Sequence, residues 1–167
     1  MKYTLKQFKE NVIQWSTERD IIKYGSIDGQ QQKGREECGE AIAEIHNIID
    51  NGRTPKNLLE LKKEVGDIAV IMINVDHMQE SRSDFYFIDK YERLAKVDTS
   101  SAIRFISQIH TIIKLGIEDY SCIWGYLDVA CLYLDINLSE CAYLAFKKIE
   151  HRKGKFCKES MSWVKES

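Results

Sequence analysis

The fold is decided by residues 54–79, whose sequence is TPKNLLELKKEVGDIAVIMINVDHMQ. Threonine followed by proline is a typical helix start, because the threonine caps the first turn and proline lacks only an N–H that would be unbonded there. Apolar residues then recur at the spacing of an amphipathic helix, at Leu58, Leu61, Val65, Ile68, Met72 and Val75. We predict a long helix from Pro55 to about Gln79, whose polar face carries Glu60, Glu64, Asp67 and Asn74.

A second long helix is predicted just before it, from about Gln30 to Asp50. Asn51-Gly52 ends this helix, because both residues tolerate the left-handed backbone of a helix C-cap. Since the connecting loop is short, we expect the two helices to be antiparallel neighbours. The spacing along the earlier helix places five charged residues on one face, which are Lys33, Glu36, Glu37, Glu40 and Glu44.

The rest of the chain also has the composition of a helical protein. It contains one proline and nine glycines among 167 residues, fewer turn signals than strands and hairpins need. We predict an all-α helical bundle that forms a single domain over residues 1–167. Further helices are predicted at about Leu5 to Ile22, Thr99 or Ser100 to Gly116, Asp119 to Asp135, and Leu138 to Lys153. We predict that residues 80–98 form a connector with a short helix and that the tail 155–167 is irregular.

Composition narrows the classes of partner. The net charge is −2 and the pI is about 6.1, so no overall positive field would attract nucleic acid or anionic lipid. No uncharged apolar run reaches the roughly 18 residues of a membrane span, and the N-terminus has no apolar signal core. The five cysteines contain no Cys-x-x-Cys pair, which is typical of reduced, packed thiols. We therefore predict a cytoplasmic protein with neither membrane nor nucleic acid as a partner.

The acids of the two long helices form matching motifs. Glu37-Cys38-Gly39-Glu40 and Glu64-Val65-Gly66-Asp67 share the order acid, any residue, glycine, acid. Antiparallel packing would bring these motifs face to face, where two charges about 5 Å apart cost roughly 3 kcal/mol at an effective dielectric of about 20. Lys33 alone cannot neutralise such a cluster. A hard cation held by carboxylate oxygens can, which favours Mg²⁺ or Mn²⁺.

Two other observations bear on this hypothesis. A glycine inside a helix costs about 1 kcal/mol relative to alanine, so Gly39 and Gly66 indicate a place where something approaches the backbone closely. The four histidines are scattered and none follows a glutamate by three residues, which argues against a di-iron site of the Glu-x-x-His type. The alternative explanation for either acidic motif alone is an ordinary solvated helix face.

On these residues the chain resembles the all-α nucleoside triphosphate pyrophosphohydrolases, in particular the MazG-like proteins of phages and bacteria. The family's Glu-Glu-x-x-Glu and Glu-x-x-Asp signatures match residues 36–40 and 64–67. Flanking matches are Trp15 with Arg19, Gln30, Lys33, Asn74, and segments 145–155 and 163–166. The matched pieces cover about residues 12–76 and 125–166. The resemblance implies a bundle of the family's type with an extra helical insertion over about residues 78–125. For the aromatic run Phe85-Tyr86-Phe87 within this insertion, we favour a place in the core or in an interface over a role as a lid.

The resemblance implies Mg²⁺-dependent hydrolysis of a nucleoside triphosphate to the monophosphate and pyrophosphate, as in the housecleaning of nucleotide pools. The metal ligands that it implies are Glu37, Glu40, Glu64 and Asp67. Glu36, together with Glu37, is assigned a catalytic role, either as ligand of a second ion or as base for the attacking water. The substrate-binding residues that it implies are Lys33, Asn74, Lys148, Arg152, Lys153 and Trp15.

Several of these residues also have structural explanations. The cations near the C-terminus could complement the dipole of the last helix. Lys33 could pair with the neighbouring glutamates, Asn74 could be a buried contact between helices, and Trp15 could belong to the core.

Three alternatives to a general (d)NTP pyrophosphohydrolase are open at this point. They are a hydrolase specific for dUTP or dCTP, a hydrolase of signalling nucleotides, and a non-catalytic helical interaction protein on the same scaffold. Because relatives in the family form dimers or tetramers, the resemblance also implies a homodimer or homotetramer. It places this assembly in the cytoplasm of a bacterium or of a phage-infected host.

Overall fold

The computed structural model describes residues 4–80, 97–116, 121–159 and 162–165. Within these residues the chain forms seven α-helices and one antiparallel β-hairpin. The helices are α1 Leu5–Glu18, α2 Ile21–Tyr24, α3 Ile27–Asn51, α4 Pro55–Met78, α5 Thr99–Leu115, α6 Ser121–Tyr133 and α7 Leu138–Ile149. The strands are β1 Gly154–Cys157 and β2 Ser162–Lys165. The predicted all-α fold is confirmed, with the short hairpin as an addition to it.

Helices α3 and α4 form the central pair of the structure. A short loop joins them and they run antiparallel, as predicted. Their register follows from three pairs of interacting residues, which are Gln30 with Asn74, Glu37 with Asp67, and Glu40 with Glu64. As the numbering rises along α3 it falls along α4, so the polar stripes of the two helices lie opposite each other.

The other helices pack around this pair. α7 and α1 lie against α4, while α5 lies against α3 and in turn packs against α6. The core between them is apolar, and its most buried side chains include Phe8, Ile45, Leu61, Ile68, Met72 and Trp124. α5 and the first residues of α6 are the described part of the predicted insertion at about 78–125. The insertion therefore contributes helices to the core of the bundle.

The start of α4 agrees with the prediction made from Thr54 and Pro55. The Thr54 hydroxyl accepts a hydrogen bond from the N–H of Asn57, and the Asn57 side chain accepts one of 2.8 Å from the N–H of Thr54. These reciprocal bonds form a capping box that stabilises the first turn. α4 ends at Met78, one residue before the predicted end.

The single helix predicted over residues 5–22 is wrong, because α1 ends at Glu18 and α2 begins at Ile21. Between them Asp20 has a φ of 60°, a left-handed conformation that interrupts the helical path. The start predicted for α3 is also three residues late. Ser26 accepts a hydrogen bond of 3.0 Å from the N–H of Gly29, and this cap starts the helix at Ile27.

The prediction for the C-terminal segment is wrong in two respects. α7 ends at Ile149, before the predicted end at Lys153. The tail 155–167, predicted to be irregular, contributes to the hairpin β1–β2. A backbone hydrogen bond of 2.8 Å from the N–H of Phe156 to the carbonyl of Arg19 joins this hairpin to the bundle. This contact with the bundle thus stabilises two strands that the local sequence does not predict.

Some predictions fall outside the described residues. The connector predicted over 80–98, with its aromatic run at 85–87, lies largely within residues 81–96. The start predicted at Asp119 lies within residues 117–120, and from Ser121 the chain is helical as far as Tyr133. α5 agrees with the prediction and ends before Gly116, whose φ is 63°.

The two glycines inside the long helices have different surroundings. A Cβ built on Gly66 would lie 2.3 Å from the backbone oxygen of Cys141 and 2.6 Å from the Cβ of Ala145, both on α7. A Cβ on Gly39 would meet no described atom within 4 Å. The predicted close approach is therefore confirmed at Gly66, where the neighbour is the α7 backbone, and is not observed at Gly39.

Among the described residues, no single helix combines the length and the apolar composition needed to cross a membrane. One bent pair, Cys122–Tyr133 with Leu138–Ile149, would meet the requirement jointly, by length and composition only.

Candidate metal and phosphate site

A cavity of about 530 Å³ opens beside the α3–α4 pair, and α1, α7 and β1 contribute to its wall. Eight of the residues selected from the sequence line it, namely Trp15, Lys33, Glu37, Glu40, Asp67, Asn74, Lys148 and Arg152. The register of the central pair places the acids of α3 opposite those of α4 and, two turns away, amide opposite amide. The cavity therefore has a charged end and an amide end.

Three glutamates from the central pair form a compact group, which we call the carboxylate cluster. One oxygen each from Glu37, Glu40 and Glu64 lies within 4.8 Å of the other two. The Glu37 residue is buried, at 6% exposed, whereas Glu40 is exposed, so the cluster is open to solvent on the Glu40 side. Like charges this close repel one another strongly without a counter-charge.

Glu64 has a carboxylate oxygen without a hydrogen-bond donor. Its Oε2 atom is buried and makes no hydrogen bond. Burial raises the pKa of its carboxyl to about 7, with the charges of Asp67 and Glu37 adding to the shift and that of Lys148 opposing it. A buried oxygen of this kind is rare in folded proteins, because it loses its hydration and gains nothing in exchange.

The fourth predicted metal ligand, Asp67, already has a partner. It is buried, at 8% exposed, and accepts a hydrogen bond from the ammonium group of Lys148. Burial raises the pKa of Asp67, and the hydrogen bond from Lys148 opposes that shift. Burial lowers the pKa of Lys148, but its bond to Asp67 raises it above the usual value. Asp67 therefore stands beside the carboxylate cluster as one half of an ion pair.

Lys33 lies one turn before the carboxylate cluster on α3. Its ammonium nitrogen is 2.8 Å from Oε1 of Glu37 and 3.2 Å from Oε2 of Glu36. Burial lowers the pKa of Lys33, but the hydrogen bond and charge of Glu37, with those of Glu36, raise it above its usual value. The predicted pairing of Lys33 with these glutamates is confirmed, and Lys33 also lines the cavity.

Three residues assigned to the site do not line the cavity, namely Glu64, whose neighbours are described above, Glu36 and Lys153. The Glu36 side chain is 50% exposed and its carboxylate is turned toward Lys33. Lys153 lies exposed between α7 and β1. Glu44, which was predicted to lie on the same charged face of α3, does not line the cavity either and accepts a hydrogen bond from Asn47. The single charged face predicted for α3 is thus too broad, and the roles of Glu36 and Lys153 stay predictions.

Arg152 supplies a second cation near Lys148. It lines the cavity, and its charge lowers the pKa of Asp67, which burial raises overall. Its backbone carbonyl accepts a hydrogen bond of 3.0 Å from Nε of Arg19. Two cations held beside a carboxylate cluster suit the binding of a polyphosphate chain.

Trp15 and Asn74 line the cavity and also make contacts within the bundle. The guanidinium of Arg19 lies 4.7 Å from the centre of the Trp15 ring, and the indole Nε1 is buried without a hydrogen-bond partner. Asn74 is 2% exposed and bonds to Ser16 and to Gln30. The buried contact considered for Asn74 is confirmed, and Asn74 also lies in the cavity wall, where its role toward a ligand stays a prediction.

Eight wall residues are not among the predicted site residues, and three of these lie outside α3, α4 and α7. Phe156 comes from the hairpin, Ile21 from α2 and Ser26 from the cap of α3. No periodic pattern marks any of them. The signals that could have indicated Ser26 were its type and its place before a helix, since serine is a preferred cap.

The carboxylate cluster fits a hard divalent cation. Its three carboxylates converge from two helices, and one of its buried oxygens lacks a donor. No histidine or cysteine belongs to this cluster as the structure describes it. All-oxygen donor sets favour Mg²⁺ or Mn²⁺, whereas Zn²⁺ sites usually include nitrogen or sulfur.

Comparisons with protein-family models, with curated proteins and with solved structures found no match to this chain. The resemblance to MazG-like proteins therefore stays a prediction from the motifs quoted above. The function has to be inferred from the residues of the cavity.

The raised pKa of Glu64 predicts how the stability of the metal-free protein depends on pH. This carboxyl titrates at about 7 in the folded chain, against a usual value of 4.5 that applies when the chain is unfolded. Between these values the folded state holds the extra proton, so the free energy of unfolding falls as the pH rises from about 4.5 to about 7. Excess Mg²⁺ should stabilise the protein more near pH 7.5 than near pH 5, because protons compete with the cation.

Thermal unfolding in EDTA and in MgCl₂ at both pH values checks this prediction. The variant Glu64→Gln removes this carboxyl, whereas the titratable groups remote from the carboxylate cluster are the same in both proteins. Its stability should fall less steeply with pH than that of the natural chain. Equal slopes for the two proteins would contradict the raised pKa.

Proposed function

We propose that this protein hydrolyses nucleoside triphosphates to the monophosphate and pyrophosphate in a Mg²⁺-dependent reaction. The observation that supports the proposal best is the carboxylate cluster, whose oxygens lie within 4.8 Å of one another and two of whose members, Glu37 and Glu40, line a 530 Å³ cavity. Lys148 and Arg152 lie in the same wall. This chemistry requires two kinds of group, namely carboxylates that bind a divalent cation and positively charged side chains that bind phosphate.

The residues that would hold Mg²⁺ are Glu37, Glu40 and Glu64. When bound, the cation supplies Lewis-acid polarisation of the phosphate oxygens. Asp67 would act beside it by holding the ammonium of Lys148 in place. Because Glu37 is already bonded to Lys33, its carboxylate has a fixed orientation within the cluster.

The cations of α7 and of the turn after it would bind the charged leaving group. Water adds across the bond between the α- and β-phosphates, its oxygen stays on the monophosphate, and pyrophosphate departs with its negative charge. Lys148 and Arg152 can compensate that charge by direct hydrogen bonds. Glu36 stays predicted to be either the acceptor of the water proton or a ligand of a second ion.

The test is an assay that separates pyrophosphate from orthophosphate across canonical and modified (d)NTPs, with Mg²⁺ and with EDTA. We expect Mg²⁺-dependent release of pyrophosphate. Release of orthophosphate alone would mean a different bond is cleaved and would contradict the proposal. No turnover of any nucleotide would favour the non-catalytic interaction protein.

A paired variant assigns the activity to this cavity. Arg152→Gln should raise KM roughly tenfold or more, because a hydrogen bond to a charged group contributes about 1.5–3 kcal/mol. Lys147→Gln is the matched control, since Lys147 is an exposed cation that pairs with Glu150 at 2.7 Å and does not line the cavity. Equal increases of KM in the two variants would contradict the assignment of the activity to this cavity.

A further inference from the structure

A chain of three polar side chains runs from the core of the bundle to the amide end of the cavity. The Ser16 hydroxyl donates a hydrogen bond of 2.7 Å to Oδ1 of Asn74. The Asn74 amide nitrogen then donates one of 3.1 Å to Oε1 of Gln30. Asn74 and Gln30 line the cavity, whereas Ser16 does not. We call this chain the amide relay.

The amide relay fixes which atoms Gln30 has left for a ligand. Ser16 is 0% exposed and Asn74 is 2% exposed, so neither can exchange its partner for water. The Gln30 oxygen already accepts one hydrogen bond, from the Asn74 nitrogen, so the group of Gln30 that is left without a partner is its NH₂. No hydrogen bond of that NH₂ occurs within the part of the chain that the structure describes. Gln30 therefore offers the cavity a donor, and a ligand that meets it must supply an acceptor.

The position of the relay relates this donor to the carboxylate cluster. Gln30 precedes Glu37 by seven residues on α3, and Asn74 follows Asp67 by seven on α4. Seven residues of helix rise by about 10 Å. This is about the reach of a nucleotide from its α-phosphate to the far edge of its base. The wall near the relay also carries the apolar residues Val70 and Ile71, one turn before Asn74 on α4.

We propose that Ser16 is a positioning residue which, through Asn74, directs the NH₂ of Gln30 into the cavity and thereby selects nucleotides whose base presents a carbonyl there. This inference depends on the proposed function, because it names the substrate class of the same site. A base with an amino group at that edge would place donor against donor and leave both unbonded. Sites of this kind discriminate strongly, since a buried polar group left without a partner is unfavourable.

The test compares kcat/KM for two matched pairs of substrates. UTP and CTP differ by a carbonyl or an amino group at C4, and ITP and ATP differ in the same way at C6. In at least one pair we expect the natural protein to prefer the carbonyl member by about tenfold or more. Ser16→Ala should bring that ratio close to one, because Asn74 and Gln30 are then free to reverse their amides. Ser16→Thr, which keeps the hydroxyl, should retain the preference.

Two further variants keep this test decisive. Gln30→Glu removes the NH₂, so it should abolish the preference even if Ser16→Ala folds poorly. Thr17→Ala is the matched control, since it deletes a hydroxyl from the neighbouring exposed position, where it bonds only to the Ile13 carbonyl at 2.7 Å among the described contacts. A structural defect alone would lower kcat/KM equally for both members of a pair and leave their ratio unchanged.

The outcomes separate the two proposals. An active enzyme without a carbonyl preference, or with a preference that survives both Ser16→Ala and Gln30→Glu, overturns the role of the amide relay and leaves the proposed function standing. No turnover of any (d)NTP, these four nucleotides included, overturns the proposed function, and with it the relay's role in substrate choice.

Discussion

Replacement of Glu64 by glutamine is expected to reduce pyrophosphate release by at least about a hundredfold. The substitution keeps the size of the side chain but removes the charge of one of the three carboxylates that lie within 4.8 Å of one another. Loss of even an outer-shell partner of a metal ligand typically lowers metal affinity or activity 10- to 100-fold, so loss of a ligand should cost at least as much. Steady-state assays with Mg²⁺ varied at saturating nucleotide measure the effect.

A second measurement separates loss of the metal site from loss of the fold. Because the Glu64 Oε2 atom is buried without a donor, Glu64→Gln should leave the metal-free protein as stable as the natural chain, or more stable, at pH 7. Isothermal titration should show weaker Mg²⁺ binding by the same variant. The expected combination is lower activity, lower metal affinity and undiminished stability.

Glu60→Gln is the matched control for this experiment. Glu60 lies one turn earlier on α4, pairs with Lys63 at 2.8 Å and does not belong to the carboxylate cluster. We expect its loss to change activity by no more than about twofold, as for an exposed ion pair. Full activity in Glu64→Gln would remove the metal role assigned to the cluster, and a large loss in Glu60→Gln would point to a general effect of charge on α4.

The parts of the site that the sequence predicts correctly are those that depend on helical periodicity. A cap at Thr54, a short loop before it and acids at matching intervals are local features, and together they determine that Glu37 faces Asp67. The antiparallel pairing of the two helices then follows from the short loop between them. Lys148, by contrast, was implied by the resemblance of residues 145–155 to the family's closing segment, and it lies on α7.

The parts that it misses depend on contacts between distant segments. Phe156 enters the cavity wall because its backbone bonds to Arg19, more than a hundred residues earlier. The amide relay joins α1, α3 and α4, and no spacing within one helix reveals that Ser16 faces Asn74. Helical spacing also cannot distinguish the centre of a polar face from its edge, where Lys33 pairs with Glu36.

Replacement of Gly66 by alanine is expected to destabilise the protein strongly, even though alanine is the better helix former. The added Cβ would lie 2.3 Å from the Cys141 carbonyl oxygen, and a backbone atom cannot move aside as a flexible side chain can. Overpacking of this kind typically costs about 1–3 kcal/mol and occasionally more, against a gain of about 1 kcal/mol in helix propensity. Because the clash is with backbone, we expect the upper end of this range, and chemical or thermal denaturation should show a net loss of up to about 2 kcal/mol.

Gly39→Ala provides the control of opposite sign. A Cβ at Gly39 meets no described atom within 4 Å, so the gain in helix propensity of about 1 kcal/mol should appear as increased stability. If Gly39 is instead required for close approach of a substrate beside Glu40, this variant should be more stable and less active. Equal stability changes at the two glycines would contradict the packing of α7 on α4, on which the position of Lys148 beside Asp67 depends.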